Sequence, residues 1–185
     1  MTHTLVFGGA RSGKSAHAER LATQSGKEVI YLATARAGDG EMATRIAHHR
    51  DQRPAAWPTV EEPLALAGTL QRLSTPANLI LVDCLTLWLT NLMFSEGGEY
   101  PDVGDIALPA RFHSERARLL EVLPALPGDV VFVSNEVGMG IVPYGAISRC
   151  FTDEAGRLNQ AVAAVCDRVT FVAAGLPLHL KGGPC

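Results

Sequence analysis

The sequence predicts an α/β protein, a mostly parallel sheet flanked by helices and built around a phosphate-binding loop. Five short apolar runs, rich in β-branched residues, alternate with segments of helical pattern, the mark of parallel strands covered on both faces. Between the first run and the first helical segment stands GGARSGKS (residues 8–15), a G-x-x-x-x-G-K-[ST] octet in the strand-to-helix context its chemistry requires. A later run, NLILVD (residues 78–83), ends on a carboxylate, the form of a Walker B strand.

Taken in order, Leu5, Val6 and Phe7 form the first strand, and the helix that follows residue 15 ends at Gly26, which accepts the left-handed conformation of a helix stop. Residues 29–33, VIYLA, form the second strand, and residues 34–40 a loop at the edge where parallel strands deliver binding groups. Residues 41–51 have helical spacing, with Met42, Ile46 and His49 on one stripe and His48 off it. Pro54 and Pro58 end that helix. A short amphipathic helix over 64–73 precedes the strand 78–83. Residues 85–94 are apolar nearly all round, so this helix must be covered on more than one side, by the sheet alone or by a second subunit as well. Residues 95–109 carry several glycines and prolines and read as a surface loop or lid. A helix over about 110–123 leads to the strand 130–134, which runs into the glycine-containing stretch NEVGMGIVP (residues 135–143). Thr152 or Asp153 is placed to cap a helix reaching Cys166. Residues 169–174 form the last strong strand, and residues 178–180 can pair back on it antiparallel.

The chain's 185 residues, 47% hydrophobic and 19% charged, fit one nucleotide-binding domain over residues 1–185. A net charge of -3 and 6% aromatics argue against a nucleic-acid surface and for small-molecule partners. The four cysteines, Cys84, Cys150, Cys166 and Cys185, have neither C-x-x-C nor metal-site spacing and read as reduced thiols of a cytoplasmic protein. Neither a signal peptide nor a membrane span is expected.

Gly8 and Gly13 let successive backbone N–H groups converge on phosphate oxygens at the positive end of a helix. Lys14 would then bridge the β- and γ-phosphates, and Ser15 would ligate Mg²⁺. Asp83 would hold the same ion directly or through water, the other reading being a turn aspartate at a strand end. These groups serve kinase, hydrolase or nucleotidyl-transfer chemistry alike. His48 and His49 separate the three, because a neutral imidazole can attack a phosphorus without a separate base. Attack on the α-phosphorus expels pyrophosphate and leaves a nucleotide on the protein, with Arg50 and Arg53 placed to neutralise the developing charge. Alternatively the pair is a polar surface feature, or holds one core histidine with a hydrogen-bond partner. The competing functions are a plain P-loop small-molecule kinase and a nucleotide-switched binding protein.

GGARSGKS, HHRDQRP (residues 48–54) and NEVGMGIVP together resemble the bifunctional adenosylcobinamide kinase/adenosylcobinamide-phosphate guanylyltransferase family of cobalamin biosynthesis. LVDCLTLWLTNL (residues 81–92) and AGRLNQ (residues 155–160) extend the resemblance along essentially the whole chain. It implies phosphorylation of adenosylcobinamide by ATP or GTP. GMP would then pass from GTP, by way of a histidine, to adenosylcobinamide phosphate, giving adenosylcobinamide-GDP. The guanylated residue is assigned to His49, with His48 the alternative. By the same resemblance Gly9, Ala10, Arg11, Ser12, Gly13, Lys14 and Ser15 hold phosphate. Ala33, Thr34, Ala35, Arg50, Asp51, Gln52 and Arg53 line the GTP site, and Glu61 and Asp83 complete it. Family members resemble RecA-type P-loop proteins in fold and form homotrimers. This chain departs from their pattern at Thr152, where an arginine is common.

Overall fold

The computed structural model describes residues 1–35, 54–97 and 99–183. The helix expected over 41–51 lies outside them. Seven strands form one sheet: β1 (His3–Gly8), β2 (Glu28–Ala33), β3 (Thr59–Glu61), β4 (Asn78–Asp83), β5 (Asp129–Asn135), β6 (Arg168–Ala173) and β7 (Leu176–Lys181). Their spatial order is β3-β2-β4-β5-β1-β6-β7. The first six are parallel and β7 runs antiparallel to β6, as expected for residues 178–180. The helices are α1 (Lys14–Gln24), α2 (Leu66–Leu73), α3 (Leu85–Met93), α4 (Ala110–Val122) and α5 (Ala146–Val165).

The strands are apolar throughout because successive side chains enter two different cores. Leu5, Ile80, Val82, Val130 and Phe132 face a large core against α2 to α5, centred on Trp88, Leu92 and Phe112. Val6, Leu79, Leu81, Val131 and Val133 face the other side, where Ala18 and Ala22 of α1 meet them. At the end of α1, Gly26 takes φ +67° beyond the Ser25 cap, as its position predicts.

One alternative is narrowed and one expectation is corrected. Helix α3 is covered by its own chain: Leu85, Trp88, Leu89, Leu92 and Met93 have no exposed surface. The Trp88 indole N–H also donates to the Leu64 carbonyl at 2.8 Å. Over these residues the apolar girth reflects burial between the sheet and neighbouring helices, whereas Phe94 at the end of the predicted stretch is 48% exposed. Helix α5 starts at Ala146, before either expected cap, with Gly145 at the cap position and no side-chain cap. Thr152 lies inside the helix, its hydroxyl donating to the Ser148 carbonyl one turn back at 2.9 Å.

Among the described residues no helix is long and apolar enough to cross a membrane, and Cys84, Cys150 and Cys166 are free thiols.

His3 and His17 are both buried, and burial is the main cause holding each imidazole below its ordinary pKa; Arg20 and His179 add to the shift at His17. The unfolded chain therefore binds protons that the folded chain refuses, and stability must fall as pH drops through about 6.5. Melting temperature is expected to decline from pH 7 to pH 5.5, and the double variant His3→Gln/His17→Gln to lose part of that slope. An unchanged slope in the variant would assign the acid sensitivity elsewhere.

Candidate active site

All the described residues singled out for chemistry lie on the carboxyl edge of the sheet or in the turns leaving it. The phosphate loop leaves β1 at Gly8 and enters α1 at Lys14. Arg11 and Gly13 take positive φ values of 58° and 92°, so the backbone turns sharply twice within three residues. Gly8 permits no side chain: a Cβ there would stand 2.2 Å from the Val172 carbonyl oxygen of β6. At Gly13 a Cβ would meet the Gly175 Cα at 3.0 Å. The loop is fastened from the same direction, because the Gly175 N–H donates to the Ser12 carbonyl at 2.8 Å. The Ser12 hydroxyl is buried within the loop without a hydrogen-bond partner. A concave loop with an orphaned donor at a helix N-terminus suits a bound phosphate.

Lys14 is folded back on the loop, its ammonium 3.2 Å from the Gly9 carbonyl. Burial lowers its pKa below the ordinary lysine value, while the nearby Cys84 and Asp83 pull the other way. Lys14 and Asp83 thus share one electrostatic neighbourhood, although β5 separates their strands. Asp83 accepts a hydrogen bond from the Tyr31 hydroxyl at 2.6 Å, which fixes one carboxylate oxygen. Next to it, burial and then the Asp83 charge push the Cys84 thiol up to about 11. Cys84 stays protonated and is no nucleophile.

Residues 33–35 are tied to this edge by long-range bonds. Ala33 pairs with both Asp83 and Glu61 in the sheet register, and the Thr34 N–H donates to the Asp83 carbonyl at 3.0 Å. The Thr34 hydroxyl donates to the Cys84 carbonyl and accepts the Cys84 N–H. The structure therefore gathers residues 9–15, 33–35 and Asp83 along one edge. Glu61 ends the outermost strand, β3, four strands from β1 and roughly 19 Å away at ordinary strand spacing. His48, His49, Arg50, Asp51, Gln52 and Arg53 lie outside the described residues.

Three participants escaped the sequence reading. Tyr31 orients Asp83 from 52 residues away and reads as an ordinary strand aromatic. Asn135 donates to the Thr86 hydroxyl at 2.8 Å, joining the end of β5 to the first turn of α3; its place at the head of NEVGMGIVP was the available signal. The Ala174-Gly175 turn, which braces the phosphate loop, reads only as a hairpin.

A family model described as cobinamide kinase / cobinamide phosphate guanyltransferase matches residues 4–180. The chain belongs to this family. The bifunctional adenosylcobalamin biosynthesis protein CobP of Pseudomonas aeruginosa is 56% identical over 180 residues, 97% of this chain and 98% of that protein. The Escherichia coli protein CobU, which bears the same description, is 44% identical over 179 residues, 96% of this chain and 98% of its own length. A solved ATPase of a bacterial type III secretion system superposes with a TM-score of 0.55 at 14% identity, covering 96% of this chain and 56% of that one. That similarity shows the P-loop NTPase fold alone. Within the cobinamide kinase / guanyltransferase family, then, the phosphate loop, residues 33–35 and Asp83 of this chain form one continuous edge.

The two adjacent glycines of the loop should respond differently to a methyl group. Gly8→Ala must displace β6 or the loop and is expected to cost at least about 1–3 kcal/mol, whereas Gly9 has nothing within 4 Å of a new Cβ. Gly9→Ala should therefore stay within about 0.5 kcal/mol of the parent in chemical denaturation. Equal losses at both positions would contradict this packing.

Proposed function

We propose that this chain carries out both reactions of its family at the one sheet edge. A nucleoside triphosphate, ATP or GTP, first phosphorylates the aminopropanol hydroxyl of adenosylcobinamide. GMP from GTP is then carried on a histidine to adenosylcobinamide phosphate, giving adenosylcobinamide-GDP and pyrophosphate. The observation that supports this most is a crowded, glycine-framed phosphate loop at the sheet edge in a chain matched by the family model over residues 4–180.

The loop N–H groups and Lys14 hold the phosphate chain and neutralise the charge that grows on it during transfer. Ser15 and Asp83 offer oxygen donors, the set a hard cation prefers, and no cluster of three or more His, Cys, Asp or Glu among the described residues could form a complete cage. That donor set suits Mg²⁺ bound jointly by the protein and the substrate phosphates, where it would polarise the phosphoryl oxygens. Tyr31 keeps the Asp83 carboxylate aimed. In the second reaction a ring nitrogen of His49 attacks the α-phosphorus and the bond to pyrophosphate breaks. A phosphate oxygen of the acceptor then displaces the imidazole, returning the histidine to its starting state. Arg50 and Arg53 offset the charge of the departing pyrophosphate, and Ala33, Thr34, Ala35, Asp51, Gln52 and Glu61 line the GTP site. The same reading has the enzyme working in the cytoplasm as a homotrimer.

Incubation with α-labelled GTP and Mg²⁺ is expected to leave protein-bound label that acid releases and alkali does not, as for a phosphoramidate. His49→Ala should abolish the label and His48→Ala should retain it. Nucleoside diphosphate formed without pyrophosphate or bound label would reduce the activity to that of a plain kinase.

A further inference from the structure

Between residues 137–143 and helix α5 lies a cleft of about 650 Å³, mid-range for a small-molecule site. Its floor is one face of α5: Arg149, Thr152, Asp153, Gly156, Arg157 and Gln160 recur at helical spacing. The opposite stripe of the same helix, Ala155, Leu158 and Val162, is buried in the core. Its other wall is apolar and bare, with Ile141 98% and Val142 75% exposed. Exposure of adjacent branched side chains on this scale marks a surface that something covers.

The cleft is joined to the phosphate loop. Gly8 and Asn135 are register partners, and the Glu136 N–H donates to the Gly8 carbonyl at 3.0 Å. The strand end from which the apolar wall springs is thus bonded to the one from which the loop springs. The wall is held over α5 by Arg149, whose guanidinium donates to the Pro143 and Tyr144 carbonyls. Gly156, midway along the floor, has nothing within 4 Å of the place a Cβ would take, so the helix there opens directly into the cleft.

We propose that this cleft is the acceptor site, and that it takes the broad, amide-rimmed macrocycle of a corrinoid. This deepens the reading of function above and rests on it. An apolar wall suits the face of a macrocycle. Thr152, Asp153 and Gln160 supply donors and acceptors for carboxamides at its rim. Continuity with Gly8 brings an acceptor held there beside the loop that holds the phosphoryl donor.

The test is binding of cobinamide to the full chain, read by equilibrium dialysis from the corrinoid's own visible absorbance, alongside the KM values for cobinamide and nucleotide. Gly156→Trp fills the cleft from a position with open space. It should weaken cobinamide binding and raise its KM by roughly tenfold or more, with nucleotide KM within about twofold of the parent. Ile141→Ser/Val142→Ser alters only exposed side chains and should weaken cobinamide several-fold by removing apolar contact. If both variants bind cobinamide as the parent does, the cleft is not the acceptor site. A changed oligomeric state in the serine variant, with cobinamide affinity intact, would overturn the assignment in favour of a second copy covering the wall. Failure of the parent itself to bind cobinamide would instead refute the proposed function.

Discussion

The absence of room at Gly8 and Gly13 is the constraint on which the rest of the molecule depends. A Cβ at Gly8 would stand 2.2 Å from the Val172 carbonyl, and one at Gly13 would stand 3.0 Å from Gly175. The phosphate loop is thus pressed against the last strong strand and the turn that follows it. That turn is a two-residue hairpin in which Ala174 and Gly175 have φ values of 52° and 78°, the left-handed pair of a type I′ turn. The antiparallel strand β7 has a purpose in this light. Pairing β7 on β6 fixes the turn, and the turn's Gly175 N–H holds the Ser12 carbonyl. A loop held from outside in this way keeps its N–H groups aimed before any phosphate arrives, which is the preorganisation that electrostatic catalysis needs.

From that anchor the sheet spaces the remaining groups. Asp83 lies two strands from the loop and Glu61 four, so residues assigned to nucleotide are strung along an edge rather than gathered at a point. On this edge Lys14 feels the charge of Asp83, Tyr31 fixes Asp83, and Thr34 locks to Cys84. The edge carries two kinds of bond: sheet register, which sets separations of several ångströms, and side-chain bonds, which set the final aim. Beyond Gly8 the same edge continues into residues 136–143 and the cleft against α5, which gives a two-substrate enzyme a continuous surface.

The strands and the phosphate loop could be read from the sequence because their signals are local. Apolar runs such as residues 79–82 must be buried on both faces, and an octet with three glycines and a lysine has few other uses. The start of α5 could not, since Gly145 caps it without a side chain and Thr152 looks like a cap while serving inside the helix. Helix α3 shows the limit of composition: an all-round apolar pattern requires cover but does not say whose, and for Leu85, Trp88, Leu89, Leu92 and Met93 the cover is the chain's own core. Within the candidate site, the placing of Gly8 to Ser15 and Asp83 on the carboxyl edge of the sheet was evident from motif and position. The Tyr31–Asp83 and Ser12–Gly175 bonds were not, because each joins residues far apart in sequence that carry no mark of their partner.

If both transfers begin at one triphosphate cradle, they must share its lysine. Measuring the two half-reactions separately in Lys14→Ala tests this most directly: phosphorylation of cobinamide, and guanylylation of the protein by GTP. Comparable losses in both, by a factor of roughly 10² or more, are the predicted result. Guanylylation that persists at the parent's rate while phosphorylation collapses would place the second reaction at another site and contradict the account.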